Sequence, residues 1–90
     1  MEDLDELVFD LELDGEEVRR EIRRRTWETG GWATIAIVYE DKKRDGEDWI
    51  RKVALLRMKK VRGLWKKHAL ITMRDEEAKQ LATLVELRED

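Results

Sequence analysis

The sequence predicts an α+β fold, in which a four- to five-stranded antiparallel β-meander is followed by one C-terminal α-helix. Apolar and polar side chains alternate with a period of two in the leading segment, β-branched and aromatic residues are enriched in a later one, and the last segment changes to helical spacing. The chain has 90 residues, enough for one domain at most. We therefore expect a single domain over residues 1–90, with an acidic leading strand (1–17), a basic antiparallel meander (18–73) and a helix (75–88).

The leading strand is predicted from the alternation of apolar and polar residues between Leu7 and Leu13. Asp14-Gly15 follows it and favours a two-residue type I′ turn, because both positions tolerate positive φ. Counting outward from this turn predicts apolar and opposite-charge pairs across the hairpin. The predicted partners are Leu13 with Glu16, Leu11 with Val18, Leu7 with Ile22, Asp10 with Arg19, Glu6 with Arg23, and Asp5 with Arg24.

The remaining strands are predicted from β-branched and aromatic residues bounded by turn residues. Residues 30–41 predict a central strand, and residues 49–60 and 64–73 predict a hairpin that turns at 61–63. The segments 33–38 and 53–56 are apolar on both faces, whereas one helix covers only one face of a sheet. We therefore expect a homodimer in which a second subunit covers the other face.

The C-terminal helix is predicted from the apolar spacing of Ala78, Leu81, Ala82 and Val85. Thr72 and Asp75 have the spacing of a capping box, and the acidic residues 75–77 suit a helix N-terminus. We interpret the apolar face of this helix as part of the core of the single chain rather than as a surface for a partner.

Charge is distributed unevenly along the chain, although its formal net value is only −3. Residues 1–17 contain nine acids and no base, and residues 18–68 contain sixteen bases and seven acids. Such asymmetry is typical of some nucleic-acid-binding proteins, but it is equally compatible with neutralisation inside the fold. An acidic leading strand that competes with nucleic acid for the basic region is a further hypothesis.

Composition disfavours an enzyme. The sequence has no serine or cysteine and one histidine, so serine and cysteine nucleophiles, thiolate metal sites and histidine pairs are excluded. Glu40-Asp41-Lys42, together with Glu21 or Glu28, imitates a magnesium-dependent nuclease site, but such tripeptides arise easily by chance in a charged chain. We predict no catalytic residues, no cofactor, no metal and no small-molecule substrate.

In a meander, alternate turns lie at the same end of the sheet, so the turns at 28–31 and 61–63 are expected to be neighbours. They bring cations and tryptophans together, which is what single-stranded nucleic acid requires for phosphate neutralisation and base stacking. The alternative is that the tryptophans belong to a core or dimer interface and the cations to a solvated rim. The predicted binding residues are Arg23, Arg25, Trp27, Trp32, Arg57, Lys59, Lys60, Arg62, Trp65 and Lys67.

The order of strands and helix resembles the ββββα unit of the Whirly superfamily, its transcriptional-coactivator branch and the Pur-alpha repeats. The resemblance covers residues 18–87 and is carried by the segments EIRRRTW, GGWATIAIVYED, VALLRMKK and KKHALITMRDEEAKQLATLVEL. It implies a dimeric module that binds single-stranded DNA or RNA on a concave basic sheet. The Lys-Gly-Lys-Gly-Ile-type strand of the coactivator branch has no match, so its binding residues are not transferred.

We therefore expect a non-enzymatic protein that binds single-stranded DNA or RNA, with the regulation of transcription as its expected context. The alternative is a dimeric protein-interaction or regulatory module that does not bind nucleic acid. The absence of cysteine and of long apolar runs favours a cytoplasmic protein without a membrane segment.

Overall fold

A computed structural model of the chain describes residues 1–44 and 46–87. One antiparallel sheet contains five strands in chain order, followed by one α-helix, so the predicted α+β meander is confirmed. The predicted end of the helix at Arg88 lies outside the described residues. No helix among the described residues has both the length and the apolar character needed to cross a bilayer. The elements are β1 (Leu11–Leu13), β2 (Glu16–Thr29), β3 (Trp32–Lys42), β4 (Trp49–Val61), β5 (Leu64–Arg74) and α1 (Asp75–Leu87).

The first hairpin turns where the sequence predicts, but its ladder is much shorter. Asp14 and Gly15 have φ values of 53° and 78°, as a type I′ turn requires, and Leu13 pairs with Glu16. A register irregularity between Leu11 and Glu12 then places Leu11 opposite Arg19, so its predicted pairing with Val18 is wrong. The predicted leading strand is reduced to three residues, and the charge pairs counted along it are not formed.

We call the two faces of the sheet the core face and the open face. The core face carries Ala33, Ile35, Ile37 and Tyr39 of β3, which alternate with less buried residues along the strand. Their neighbours on β4 are Ala54, Leu56 and Met58, and all seven side chains are buried. The hydrophobic core of the chain therefore lies on one side of the sheet.

The acidic N-terminal segment, residues 1–10, covers the core face. Leu4 and Leu7 are buried in the core, and the ring of Phe9 meets that of Tyr39 edge-on at 4.8 Å. The Met1 ammonium donates to the carbonyl of Trp65 at 3.1 Å, and the Trp65 N–H donates to the carbonyl of Met1 at 2.7 Å. Residues 1–10 therefore pack their apolar side chains over the core instead of extending β1 along the edge of the sheet.

Helix α1 lies on the open face, where it contacts β4 and β5. Its apolar side chains stay accessible: Leu81 is 41% exposed and Val85 is 49% exposed. The apolar residues of this helix thus face the sheet of their own chain, as predicted, but across a groove, and none of them belongs to the buried core on the other face. At the helix N-terminus, the N–H of Arg74 donates to Glu77 Oε1 at 3.3 Å, while Thr72 lies within β5.

Candidate nucleic-acid interface

The β2–β3 and β4–β5 turns are neighbours, as the meander predicts, and we call their end of the sheet the turn end. The N–H of Lys60 donates to the carbonyl of Gly31 at 2.8 Å, which joins the two hairpins. Gly30 and Gly63 have φ values of 59° and 80°, in the left-handed region that favours glycine. Both turns can therefore be tight, and the strand ends beside them stay in register.

Two cross-strand rows of the open face lie next to these turns. The first row runs from Thr29 through Trp32 and Lys59 to Lys66. The second runs from Trp27 through Thr34 and Arg57 to Ala69. Since side chains two residues apart along a strand share a face, the two rows form one surface, with Arg25 next to Trp27. We call it the basic-aromatic surface; it consists of Arg25, Trp27, Trp32, Arg57, Lys59 and Lys66.

Trp32 is the most heavily contacted ring of this surface. The Arg57 guanidinium lies 4.8 Å and the Lys59 ammonium 5.1 Å from its centroid, both within the range of cation–π attraction. Arg57 also donates to Thr34 Oγ1 at 2.7 Å, which fixes its head group beside the ring. The imidazole of His68 meets the indole edge-on at 5.0 Å. Trp32 therefore holds two cations in place on the open face.

Trp27 is the more accessible ring, because 48% of the residue is exposed. The Arg25 guanidinium lies 5.4 Å from its centroid. A nucleobase could stack on this indole and leave the adjacent guanidinium to meet a phosphate. Arg23 lies further along the same face of β2, opposite Val38.

The cations of the turn end have no carboxylate partners among residues 1–44 and 46–87. The salt bridges within these residues include neither the four cations of the basic-aromatic surface nor Arg23, Lys60, Arg62 and Lys67. Lys59 and Lys66 are even direct cross-strand neighbours, a like-charge arrangement that destabilises a sheet. On the open face, the turn end therefore presents cations without ion pairs among the described residues. On the core face, Lys60 instead lines a pocket together with Glu2, Asp3, Asp5 and Glu28.

The opposite end of the sheet, which we call the loop end, contains ion-paired cations. Arg19 Nε lies 2.7 Å and Lys52 Nζ 3.0 Å from carboxylate oxygens of Asp41. Arg20 and Arg51 approach Glu40 at 2.9 and 3.5 Å. Burial of the Asp41 carboxyl opposes ionisation, but hydrogen bonds from Arg19 and Lys52 outweigh it, so the pKa of Asp41 lies below its ordinary value.

The predicted binding residues do not all share one surface. Arg23, Arg25, Trp27, Trp32, Arg57 and Lys59 lie on the open face, and Arg62 lies in the β4–β5 turn. Lys60, Trp65 and Lys67 lie on the core face by register. Trp65 is only 4% exposed beneath residues 1–10, with the Lys60 ammonium 5.4 Å from its ring. The structure thus brings together six of the ten residues, and Trp65 is not accessible for stacking.

Lys66, His68 and Trp49 lie outside the predicted set but take part in similar contacts. Lys66 could have been found from its register opposite Lys59. His68 reaches Trp32 because an irregularity in the β4–β5 ladder leaves it between the partners of Arg57 and Met58, for which the sequence carries no signal. At the loop end, the guanidinium of Arg20 lies 4.0 Å from the ring of Trp49. The cation beside Trp49, Arg20, is therefore already paired with Glu40.

The side chains of the nuclease-like tripeptide do not converge on one site. Glu40 and Asp41 are consecutive in β3 and face opposite sides of the sheet, and Lys42 pairs with Glu16. Glu21 is hydrogen-bonded to Arg24, whose Nε lies 3.0 Å from Glu21 Oε2. This bond raises the pKa of the Arg24 guanidinium. Within the part of the chain that the structure describes, no group of three His, Asp or Glu side chains is placed to hold a metal ion.

Comparisons with known proteins add no information about the function of this chain. No family model matches the chain, and neither a curated protein nor a solved structure matches it.

Proposed function

We propose that this chain is a non-enzymatic binding protein for single-stranded DNA or RNA, with the basic-aromatic surface as its contact region. One observation carries the proposal: Trp27 and Trp32 share an exposed sheet surface with cations that lack carboxylate partners among the described residues. A regulatory role in transcription and a place in the cytoplasm are part of this proposal.

The positive charge would supply affinity. Each phosphate that a lysine or arginine neutralises releases condensed counterions, so binding weakens steeply as salt is added. The loop-end cations contribute less because Asp41 and Glu40 already pair with them. The turn-end cations do not have to give up an ion pair before they contact a phosphate.

The tryptophans would supply the preference for single strands. Trp27 and Trp32 are on adjacent strands and in adjacent rows, which separates them by about 8 Å along the diagonal for ordinary sheet spacings. A single strand can turn its bases onto such rings, whereas the bases of a duplex stack on one another. The Whirly-like order of strands and helix supports the same function, as a resemblance of topology.

The direct test titrates the purified chain with fluorescently labelled oligothymidine and with a duplex of matched length, at about 50 and 200 mM salt. We expect binding that prefers the single strand, quenches tryptophan fluorescence and weakens by at least tenfold at the higher salt. Absence of binding to either ligand at low salt would contradict the proposal. Equal affinity for both ligands would retain the charge argument and remove the stacking argument.

The alternative function is a dimeric interaction or regulatory module that does not bind nucleic acid. The exposed apolar side chains of α1 and of the neighbouring open face favour it. The two functions respond differently to salt, because an interface built on apolar burial changes little over the range that weakens phosphate contacts.

A further inference from the structure

Helix α1 stands over the middle of the open face without closing on it. A groove of about 800 Å³ lies between the helix and the sheet. Its floor includes Trp27, Val53 and Leu55, and its helical wall includes Ala78, Leu81 and Val85. Both sides of the groove are therefore mainly apolar.

This apolar surface remains accessible in the single chain. Leu81, Val85 and Trp27 are 41–49% exposed, and Leu84 on the same helix is 67% exposed. The ten buried hydrophobic residues all belong to the N-terminal segment or to β3, β4 and β5, and none of them to α1. Burying an exposed Leu or Val side chain contributes about 1.5–3 kcal/mol, so a groove left open forgoes considerable stability.

The single chain is also too extended for a typical compact monomer. It exposes 7099 Å², whereas a folded monomer of 10.8 kDa exposes about 5,500 Å² by the usual size scaling. Its radius of gyration is 15.0 Å, against about 12 Å for a compact domain of this length. The excess area of about 1,500 Å² exceeds the roughly 800 Å² that each partner of a standard interface buries.

We propose that a second copy of this chain covers the groove, with the two copies related by a two-fold axis over the middle of the open face. The same chain then supplies both the apolar ridge of α1 and the apolar floor that receives it, as a two-fold interface requires. This interface goes beyond the proposed function, because it needs no nucleic acid.

Charge complementarity supports a second copy as the occupant. The described helix carries Asp75, Glu76, Glu77 and Glu86 against one base, Lys79. The β2 side of the open face carries Arg23 and Arg25, for which the described residues provide no ion pair. Arg25 and Glu86 both line the groove of the single chain. The sheet side and the helix side of this surface therefore carry opposite charges, and a two-fold axis can set the helix acids of each copy against the arginines of the other.

Such a dimer leaves most of the basic-aromatic surface free. Trp32, Lys59 and Lys66 lie in the row next to the turns and do not line the groove. Arg25 and Trp27 line the groove and also belong to the basic-aromatic surface, so the second copy and a nucleic acid would compete for these two side chains. Nucleic acid bound to the dimer would then contact mainly Trp32 and the cations beside it.

The test is sedimentation equilibrium of the full chain without nucleic acid, over a wide range of protein concentration. We expect twice the mass of the chain at the higher concentrations. Val85→Glu is expected to weaken the dimer at least tenfold, because it places a charge in the apolar lining of the groove. Val8→Glu is the matched control and should leave the dimer intact, since Val8 is 78% exposed in the segment over the core face.

A charge exchange tests the two-fold arrangement separately. Arg25→Glu alone and Glu86→Arg alone are each expected to weaken the dimer, and mixing the two variant chains is expected to restore it, because each pair between copies then has opposite charges while each pair within a copy has like charges. Circular dichroism checks that each variant folds. A wild-type chain that stays monomeric throughout, or a dimer that Val85→Glu does not weaken, would overturn the proposed interface and assign the groove to a different occupant. Loss of nucleic-acid binding alone would not affect it.

Discussion

The two ends of the sheet have similar residue types but opposite electrostatic states. At the loop end, Arg20 lies over Trp49 while it also pairs with Glu40. At the turn end, Arg57 lies over Trp32 and its hydrogen-bond partner is the neutral hydroxyl of Thr34. A tryptophan beside a cation therefore does not by itself define a nucleic-acid site. What distinguishes the turn end is that the cations beside its tryptophans have no carboxylate partner within the described residues.

Strand register produces this difference. Between β2 and β3, Arg19 lies opposite Asp41 and Arg20 opposite Glu40. Near the turns, Lys59 lies between Trp32 and Lys66. Strand pairing thus places cations opposite carboxylates at the loop end and places them next to other cations at the turn end.

The largest expected effect concerns residues 1–10, the segment that covers the core face. Leu7→Ala should lower the free energy of unfolding by about 2–5 kcal/mol, because it empties a buried site. Val8→Ala is the neighbouring control and should change it by less than about 0.5 kcal/mol, since Val8 is exposed. Urea denaturation measures both values.

Deletion of residues 1–10 extends the same test to the competitor hypothesis. The segment lies on the face opposite the basic-aromatic surface and buries Leu4 and Leu7, so we expect its deletion to unfold the chain. A truncated chain that stayed folded and bound oligothymidine more tightly would instead support an acidic segment that competes with nucleic acid.

The next largest effect is a difference in oligothymidine affinity between variants that lack a tryptophan at one end of the sheet or at the other. Trp27→Ala should weaken the binding of oligothymidine by about 1–3 kcal/mol, the usual contribution of one stacked base. Trp49→Ala removes the loop-end ring and should leave affinity within about twofold of the wild type, because Arg20 and Lys42 beside it are already paired. A larger loss in Trp49→Ala than in Trp27→Ala would reverse the assignment of the ends.

The smallest effect is a pH dependence that arises at the loop end. The pKa of Asp41 is lower in the folded chain than in the unfolded chain, so its contribution to stability is complete above the unfolded value of about 4. That contribution disappears as the pH falls through the folded pKa. Asp41→Asn should therefore be less stable than the wild type at pH 7 and approach it under acid conditions. Urea denaturation at pH 7 and at a pH below about 4 measures the free energy of unfolding of both chains. A difference between them that does not change with pH would contradict the assigned ion pairs.

Sequence patterns predict the elements of this fold better than its layers. Segments rich in β-branched and aromatic residues identify the strands, and the Asp14-Gly15 turn identifies the first hairpin, because these signals are local. The irregularity between Leu11 and Glu12 has no local signal, so the alternation from Leu7 to Leu13 did not predict that residues 1–10 cover the core face. The incomplete packing of α1 against the open face likewise depends on tertiary contacts.

The candidate site was predictable to a similar extent. The meander order places the two turns side by side, so the accumulation of cations there follows from topology. Which face each side chain occupies depends on register, and a second irregularity, near His68, could not be counted from the sequence. The regular pairing next to the β4–β5 turn places Trp65 opposite Lys60 on the core face, beneath the N-terminal segment, whereas Trp27 lies on the open face.

The most direct test of the central claim compares how salt affects binding by two double variants. Arg57→Gln with Lys59→Gln removes unpaired turn-end cations, and Arg20→Gln with Arg51→Gln removes paired loop-end cations. For oligothymidine, the turn-end variant should reduce the slope of log affinity against log salt by about 1.4, at roughly 0.7 per lost phosphate contact. The loop-end variant should keep the wild-type slope. Equal slopes for the two variants would contradict the claim that unpaired charge at the turn end forms the binding surface.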